Sequence, residues 1–217
     1  MTSRAIRLVL LAVASSLVGI AALAAGPAAP DSTKKKEEPK LATATFAGGC
    51  FWSMEGVFDP LPGVVSATSG YMGGTKANPS YEEVSEGTTG HAESVRVVYD
   101  PSKVSYSQLL DAYWHNIDPL TPNAQFCDHG TQYRSVIFFE DAEQQRLAEE
   151  YKRRLEASGR FKRPVVTQIV AASAFYPAED YHQDYVRKNP LHYRAYRIGC
   201  GRDARIQELW GEDAPKH

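Results

Sequence analysis

The stretch from Leu41 to Phe58 constrains the fold more than any other. Leu41-Ala42-Thr43-Ala44-Thr45-Phe46 alternates as a strand does, and Trp52, Met54, Val57 and Phe58 follow at helical spacing. Between them, Ala47-Gly48-Gly49-Cys50 has to turn the chain, and two glycines let the backbone bend sharply and approach a ligand closely. Cys50 therefore stands where a helix begins. Unpaired amide N–H groups and the macrodipole there favour an anion, so a thiol in that place is expected to ionise below its free pKa of about 8.5. Cys50 is a candidate thiolate nucleophile, although an isolated cysteine reads more often as a small, inert, buried hydrophobe.

Downstream, Asp59-Pro60-Leu61-Pro62-Gly63 is a turn, Val64 to Tyr71 a strand, and the segment around Asn78 to Glu83 the start of a short helix ended by Gly87 to Gly90. From His91 to Asp100 the chain alternates again. Glu93 then shares a face with Val95 and Val97, which puts a carboxyl at one end of an apolar surface. Ser105 and Gln108 form a capping box, with Val104 and Leu109 as a hydrophobic staple, for a helix whose buried stripe is Leu109, Leu110, Tyr113, Trp114 and Ile117. Asp118 to Tyr133 shows no period and reads as a long loop of functional character. Ser135 to Phe139 is a strand, and Asp141 to Ser158 an amphipathic helix with Glu149/Arg153 and Glu150/Arg154 pairs on its solvated face. Val165 to Val170 is a further strand and Tyr181 to Lys188 a helix. An irregular tail from Asn189 ends in a short helix over Asp203 to Trp210. Helices and strands mix without a strict βαβ rhythm, so the expected class is α+β. No Gly-rich dinucleotide or phosphate loop and no G-x-S-x-G elbow occurs.

The amino terminus reads separately. Arg4 and Arg7 precede an uncharged, largely apolar run from Leu8 to Ala25, with Ala22-Leu23-Ala24 as an A-x-A cleavage site. Residues 1–25 are expected to be a signal peptide or an uncleaved N-terminal anchor, and residues 26–40 a flexible Pro/Lys/Glu linker. Residues 41–217 are the expected catalytic domain. Either form of the leader implies export, periplasmic or secreted, or attachment to the outer side of a membrane. Charge divides at the same place: residues 1–40 hold six Lys/Arg against three Asp/Glu, and the remainder 18 against 23. A mildly acidic folded part argues against nucleic acid as a partner. With no heptad pattern, a monomer is the default expectation.

The cysteines are Cys50, Cys127 and Cys200, an odd and small number for an exported chain, which suggests a reactive thiol rather than a disulfide scaffold. Cys127-Asp128-His129 is a lone trio without C-x-x-C spacing, and no metal site is expected.

Five stretches occur in order: Gly49-Cys50-Phe51-Trp52, Pro79-Ser80-Tyr81, Gly90-His91-Ala92-Glu93, Asp128 to Ser135 (DHGTQYRS), and Phe175 to Gln183 (FYPAEDYHQ). Together they resemble the A-type peptide methionine sulfoxide reductases over most of residues 42–190. The resemblance implies a two-layer α/β sandwich on a ferredoxin-like core. It implies that Cys50 attacks the sulfoxide sulfur, that Phe51 and Trp52 enclose the S-methyl group, and that Glu93 protonates the sulfoxide oxygen. Tyr81 and Tyr133 would be hydroxyl donors to that oxygen, with Asp128 as a supporting polar group. It also implies no cofactor beyond an external thioredoxin-like or dithiol reductant, and methionine-(S)-sulfoxide, free or in oxidised proteins, as substrate. Where the better-known pattern carries a pair of recycling cysteines in a Gly-rich tail, this tail has one. Cys200 between Gly199 and Gly201 is the expected resolving cysteine, with Cys127 as its rival. His91 and His182 read as structural.

The chemistry asks for the same residue types. A sulfoxide oxygen leaves sulfur only once protonated, so a thiolate must work with an acid that keeps its proton near neutrality. Desolvation on an apolar face raises a Glu pKa from about 4.3 in the required direction. A thiol peroxidase or disulfide oxidoreductase would also need an activated cysteine, and a non-catalytic thioether-binding module would keep only the aromatic pocket. The missing C-x-x-C speaks against the disulfide enzyme, and the pairing of Cys50 with Glu93 against the binding module.

Overall fold

A computed structural model describes residues 40–215. The expected leader and nearly all of the linker lie outside the described residues. Six strands form one sheet: β1 (Ala42–Gly48), β2 (Val64–Met72), β3 (Ala92–Tyr99), β6 (Ser135–Phe139), β7 (Gln168–Ala171) and β8 (Tyr176–Pro177), in the spatial order β7-β6-β1-β3-β2-β8. All neighbours are antiparallel except β6 and β7. A small hairpin of β4 (Ala124–Gln125) and β5 (Asp128–His129) stands apart.

The helices are α1 (Phe51–Phe58), α2 (Tyr81–Ser85), α3 (Tyr106–Trp114), α4 (Ala142–Ala157), α5 (Tyr185–Lys188), α6 (Pro190–Gly199) and α7 (Arg202–Trp210). The run β1-α1-β2-β3-α3-β6 with strand order β6-β1-β3-β2 is the ferredoxin-like arrangement. The expected α+β sandwich is the observed one.

Alternation along the strands sorts side chains to two faces. Ala44, Phe46, Val95 and Val97 point to the face covered by α1, α3 and α4, whereas Ala47, Met72, Ala92, Val136 and Phe138 line the other, against Ala172 and Phe175. Phe46 is fully buried and stacks on Phe58 at 5.0 Å and Tyr113 at 5.2 Å. Each such ring contributes roughly 1.5–3 kcal/mol by leaving water. The expected capping box is present: Gln108 N–H donates to Ser105 Oγ at 3.3 Å and Ser105 N–H to Gln108 Oε1 at 2.9 Å.

Four expectations are corrected. The loop before Tyr133 contains the β4–β5 hairpin and a 3-10 turn over Thr131–Tyr133, too short to leave a period. The last sheet strand in the parallel pair starts at Gln168 rather than Val165, and the helix expected over 181–188 is reduced to α5. The tail after Asn189 is helical rather than irregular, because Pro190 opens α6 at its first turn. Beyond it α7 is anchored to the body of the domain: buried Arg202 donates to Asn116 O at 2.8 Å and lies 4.3 Å over the Phe126 ring, and Trp210 Nε1 donates to Ile117 O at 3.3 Å.

Candidate active site

Antiparallel pairing brings three chain segments to one edge of the sheet. β1 runs toward that edge and delivers Cys50 just beyond it, while β3 and β6 start there, with Glu93 second in β3 and Tyr133 two residues before β6. The double glycine is what lets β1 meet α1 in so little space. A Cβ on Gly48 would come within 2.7 Å of Ile117 and 2.8 Å of the Met54 sulfur, and Gly49 has φ +82° with Gln125 Cβ 2.5 Å from where its own Cβ would be. Gln125 is itself fixed, accepting from Asp118 N–H at 2.9 Å and donating to Asp118 O at 2.6 Å, which steadies the hairpin that carries Asp128.

Cys50 is the N-cap residue of α1, as its spacing suggests, and is only 6% exposed. The amide of Phe51, one of the helix's unpaired N–H groups, donates to Glu93 Oε2 at 2.9 Å. Glu93 is 2% exposed, and burial drives its pKa up to about 8, with Asp128 adding to the shift and the Phe51 N–H opposing it. At neutral pH it is a protonated acid with one oxygen engaged and an O–H to donate. The thiol does not follow the expected direction. Burial first, then the neighbouring Glu93 and Asp128, push its pKa up, and the Tyr196 hydroxyl and the Trp52 backbone N–H offset this only in part. A helix terminus acts within a turn and is modest in size, so in this enclosed state it loses to desolvation.

Phe51 and Trp52 form the expected aromatic wall, with partners the sequence did not single out. The Trp52 ring lies flat on Tyr185, 3.7 Å away with an interplanar angle of 5°. Its Nε1–H donates to His182 Nδ1 at 3.0 Å. That contact requires His182 neutral with its proton on Nε2, and burial lowers its pKa in the same direction. His182 also packs 4.9 Å from Phe51 and 4.3 Å from Tyr81, so it belongs to the wall rather than serving only as scaffold. His91 does serve as scaffold, bridging Gly74 N–H and Lys76 O.

Tyr81 and Tyr133 stand within electrostatic reach of Glu93 and Cys50, and burial raises both phenols, Tyr81 to about 12, so they remain donors. Glu179 positions Tyr81 by accepting its backbone N–H at 2.9 Å while accepting the Tyr71 hydroxyl at 2.8 Å. Gln183 clamps the same segment to β2 through both the N–H and the carbonyl of Ser69, each at 2.9 Å. Asp128 accepts a hydrogen bond from Tyr196 of α6, and burial raises its pKa.

The structure thus brings Cys50, Phe51, Trp52, Tyr81, Glu93, Asp128 and Tyr133 together. Cys200 is placed differently from the rest: it is joined by a disulfide to exposed Cys127, and Cys50 is the free cysteine. Cys127, Asp128 and Cys200 have their ligand atoms within 4.8 Å of one another, but sulfurs bonded to each other offer no thiolate to a metal. His182 stood inside one of the motifs and Tyr185 two residues beyond its end. Nothing in the sequence marked Tyr196.

The family model described as "Peptide methionine sulfoxide reductase" matches residues 42–214. The chain is 51% identical over 172 residues to the peptide methionine sulfoxide reductase of Bacillus licheniformis, covering 79% of this chain and 95% of that one. Among solved structures, methionine sulfoxide reductase A of Corynebacterium diphtheriae superposes with a TM-score of 0.63 at 36% identity, over 71% of this chain and 78% of that chain. Mxr1 of Saccharomyces cerevisiae in its reduced form gives 0.64 at 31% identity, over 70% and 87%. Sequence and fold agree: the chain belongs to the peptide methionine sulfoxide reductase family.

Proposed function

We propose that this protein reduces methionine-(S)-sulfoxide, free or within oxidised proteins, to methionine, with Cys50 as nucleophile and Glu93 as acid. The observation that carries the reading is the neutral Glu93 carboxyl fixed by the amide next to Cys50. An acid held protonated to about pH 8 beside a cysteine suits a reaction in which an oxygen must be protonated as its sulfur is attacked. The Cys50 sulfur attacks the sulfoxide sulfur while Glu93 gives its proton to the oxygen. Methionine departs with two electrons gained, and the oxygen remains on Cys50 as a sulfenic acid. Tyr81 and Tyr133 donate hydrogen bonds to the oxygen as it gains charge, and Phe51 and Trp52 hold the methyl group.

The disulfide supports a reading of the recycling steps. A Cys200 thiolate condenses with the Cys50 sulfenic acid, releasing water and forming a Cys50–Cys200 disulfide. Attack by Cys127 on the Cys200 sulfur then frees Cys50 and leaves Cys127–Cys200, the pairing seen here. Because Cys127 is exposed, an external dithiol of the thioredoxin kind can take up that disulfide, returning two electrons and two protons. Export, read from residues 1–25 alone, would place the exchange outside the cytoplasm. Fractionation of the full-length chain tests it, and recovery in the cytoplasm refutes it.

The deciding experiment is chiral product analysis on racemic methionine sulfoxide with dithiothreitol, comparing wild type with Cys50→Ser. Loss of the S epimer alone is expected with wild type, and no reaction with the variant. Unchanged consumption by Cys50→Ser would remove the assignment.

A further inference from the structure

Tyr196 lies on the last turn of α6, far in sequence from every residue it meets in the site. Its hydroxyl donates to Asp128 Oδ2 and stands within electrostatic reach of the Cys50 sulfur, and its ring stands edge-on to Trp52 at 6.1 Å. It thus engages the nucleophile, the supporting carboxylate and the aromatic wall at once. Cys200 follows four residues later on the same helical face, and Cys127 precedes Asp128. Two ties therefore run side by side from the β5 hairpin to α6: the covalent bond from Cys127 to Cys200, and the hydrogen bond from Asp128 to Tyr196. With both in place, Cys50 is 6% exposed, too covered for a methionine side chain to reach its sulfur.

We propose that Tyr196 is a tethered occupant of the sulfoxide site, holding the place of the S=O oxygen between Cys50 and Asp128 while Cys127 and Cys200 are joined, so that substrate enters only after a dithiol has reduced that disulfide. This rests on the methionine sulfoxide reading of the site and adds an order of events to it. A group tied in this way competes with free substrate at an effective concentration on the order of millimolar or above. Reduction, in which a dithiol supplies two electrons and two protons to give two thiols, removes the covalent tie and leaves the hydrogen bond alone. The opening is confined to α6, because α7 stays docked through Arg202 and Trp210, and Gly199 and Gly201 beside Cys200 have nothing within 4 Å of where a Cβ would be. The enclosed Cys50 is an unreactive thiol for the reasons given above, and opening the site relieves its largest cause, burial. The arrangement also protects the enzyme. Without a reductant at hand, an open site would leave Cys50 as a sulfenic acid exposed to irreversible oxidation.

The test uses full-length protein in three states: wild type with the Cys127–Cys200 disulfide closed, the same protein reduced by dithiothreitol that is then removed, and disulfide-closed Tyr196→Ala. Iodoacetamide labelling of the Cys50 peptide, followed by mass spectrometry, reads access to the sulfur whether or not the protein reduces sulfoxides. Losing one charge-assisted hydrogen bond and its tether corresponds to roughly tenfold or more. Closed wild type is therefore expected to label at least about tenfold more slowly than the reduced protein, and closed Tyr196→Ala as fast as the reduced protein. The double variant Cys127→Ser/Cys200→Ser keeps Tyr196 and removes the tie, and is expected to label like the reduced protein. Equal labelling of closed and reduced wild type, or continued protection in the double variant, would overturn the proposal. Methionine formed in one turnover is the second readout, expected only from the unclasped forms. If reduced wild type labels rapidly yet forms none, the assigned activity fails while the closure stands.

Discussion

Replacing Glu93 with Gln should abolish most activity and at the same time make the protein more stable. Burial drives the carboxyl from its ordinary 4.5 to about 8. The folded protein therefore keeps this proton up to about pH 8, whereas the unfolded chain releases it near 4.5. Between those values the folded state binds more protons, so stability falls as pH rises. At pH 7 the interval covered is about two and a half units at about 1.4 kcal/mol each, a cost of roughly 3 kcal/mol that a neutral amide escapes. The substituted amide would still accept the Phe51 N–H through its carbonyl oxygen. For a domain of this size the gain corresponds to a Tm higher by about 6–12 °C at pH 7, shrinking to nothing near pH 4.5. Loss of the proton donor is expected to slow the chemical step by about 10²–10⁴-fold. Urea unfolding at pH 5.0 and 7.5, alongside turnover with dithiothreitol, measures both. A variant no more stable than wild type at pH 7.5, or one whose advantage is the same at pH 5.0, would refute a buried neutral acid at position 93.

Cys200→Ser should reduce one equivalent of sulfoxide per enzyme and then fail to turn over with a thioredoxin-like reductant. Rapid-quench burst amplitude against steady-state rate separates the two, and unimpaired multiple turnover would remove Cys200 from the recycling role. Gly49→Ala should destabilise by about 1–3 kcal/mol, because φ +82° and the 2.5 Å approach to Gln125 both disfavour a Cβ. Denaturant midpoints check it, and a shift of less than about 0.5 kcal/mol would show that the β1–α1 turn relaxes freely.

What could be read from the sequence was whatever short-range chemistry determines. Ser105 with Gln108 and the alternation of β1 and β3 are local signals, and the structure keeps them. Glu93 was legible because alternation assigns it a face and sulfoxide chemistry asks for an acid there. α6 was not: of its residues only Tyr193 is buried, Leu191 and Ile198 are 83% and 66% exposed, and it is held by distant partners such as Ser53 on the Tyr193 hydroxyl. The two residues of β8 form a strand only because β2 lies beside them. The direction of the Cys50 shift was misread for a related reason. It depends first on burial by the tertiary fold and then on Glu93 and Asp128 converging from 43 and 78 residues away, which no local pattern records.

The pairing of β1 with β3 also sets which changes in chain length the site can absorb. Phe46 lies opposite Val95, and this register, rather than any contact of the loops, sets how far Cys50 stands from Glu93. Residues added or lost between Gly73 and Gly90 would move Tyr81 but leave that spacing unchanged. Deleting Ser94, between the acid and Val95, would instead turn the acid toward Met72 and Phe138 on the opposite face and strand the nucleophile without its proton. The distance between nucleophile and acid is therefore set by the residue count at the centre of the sheet.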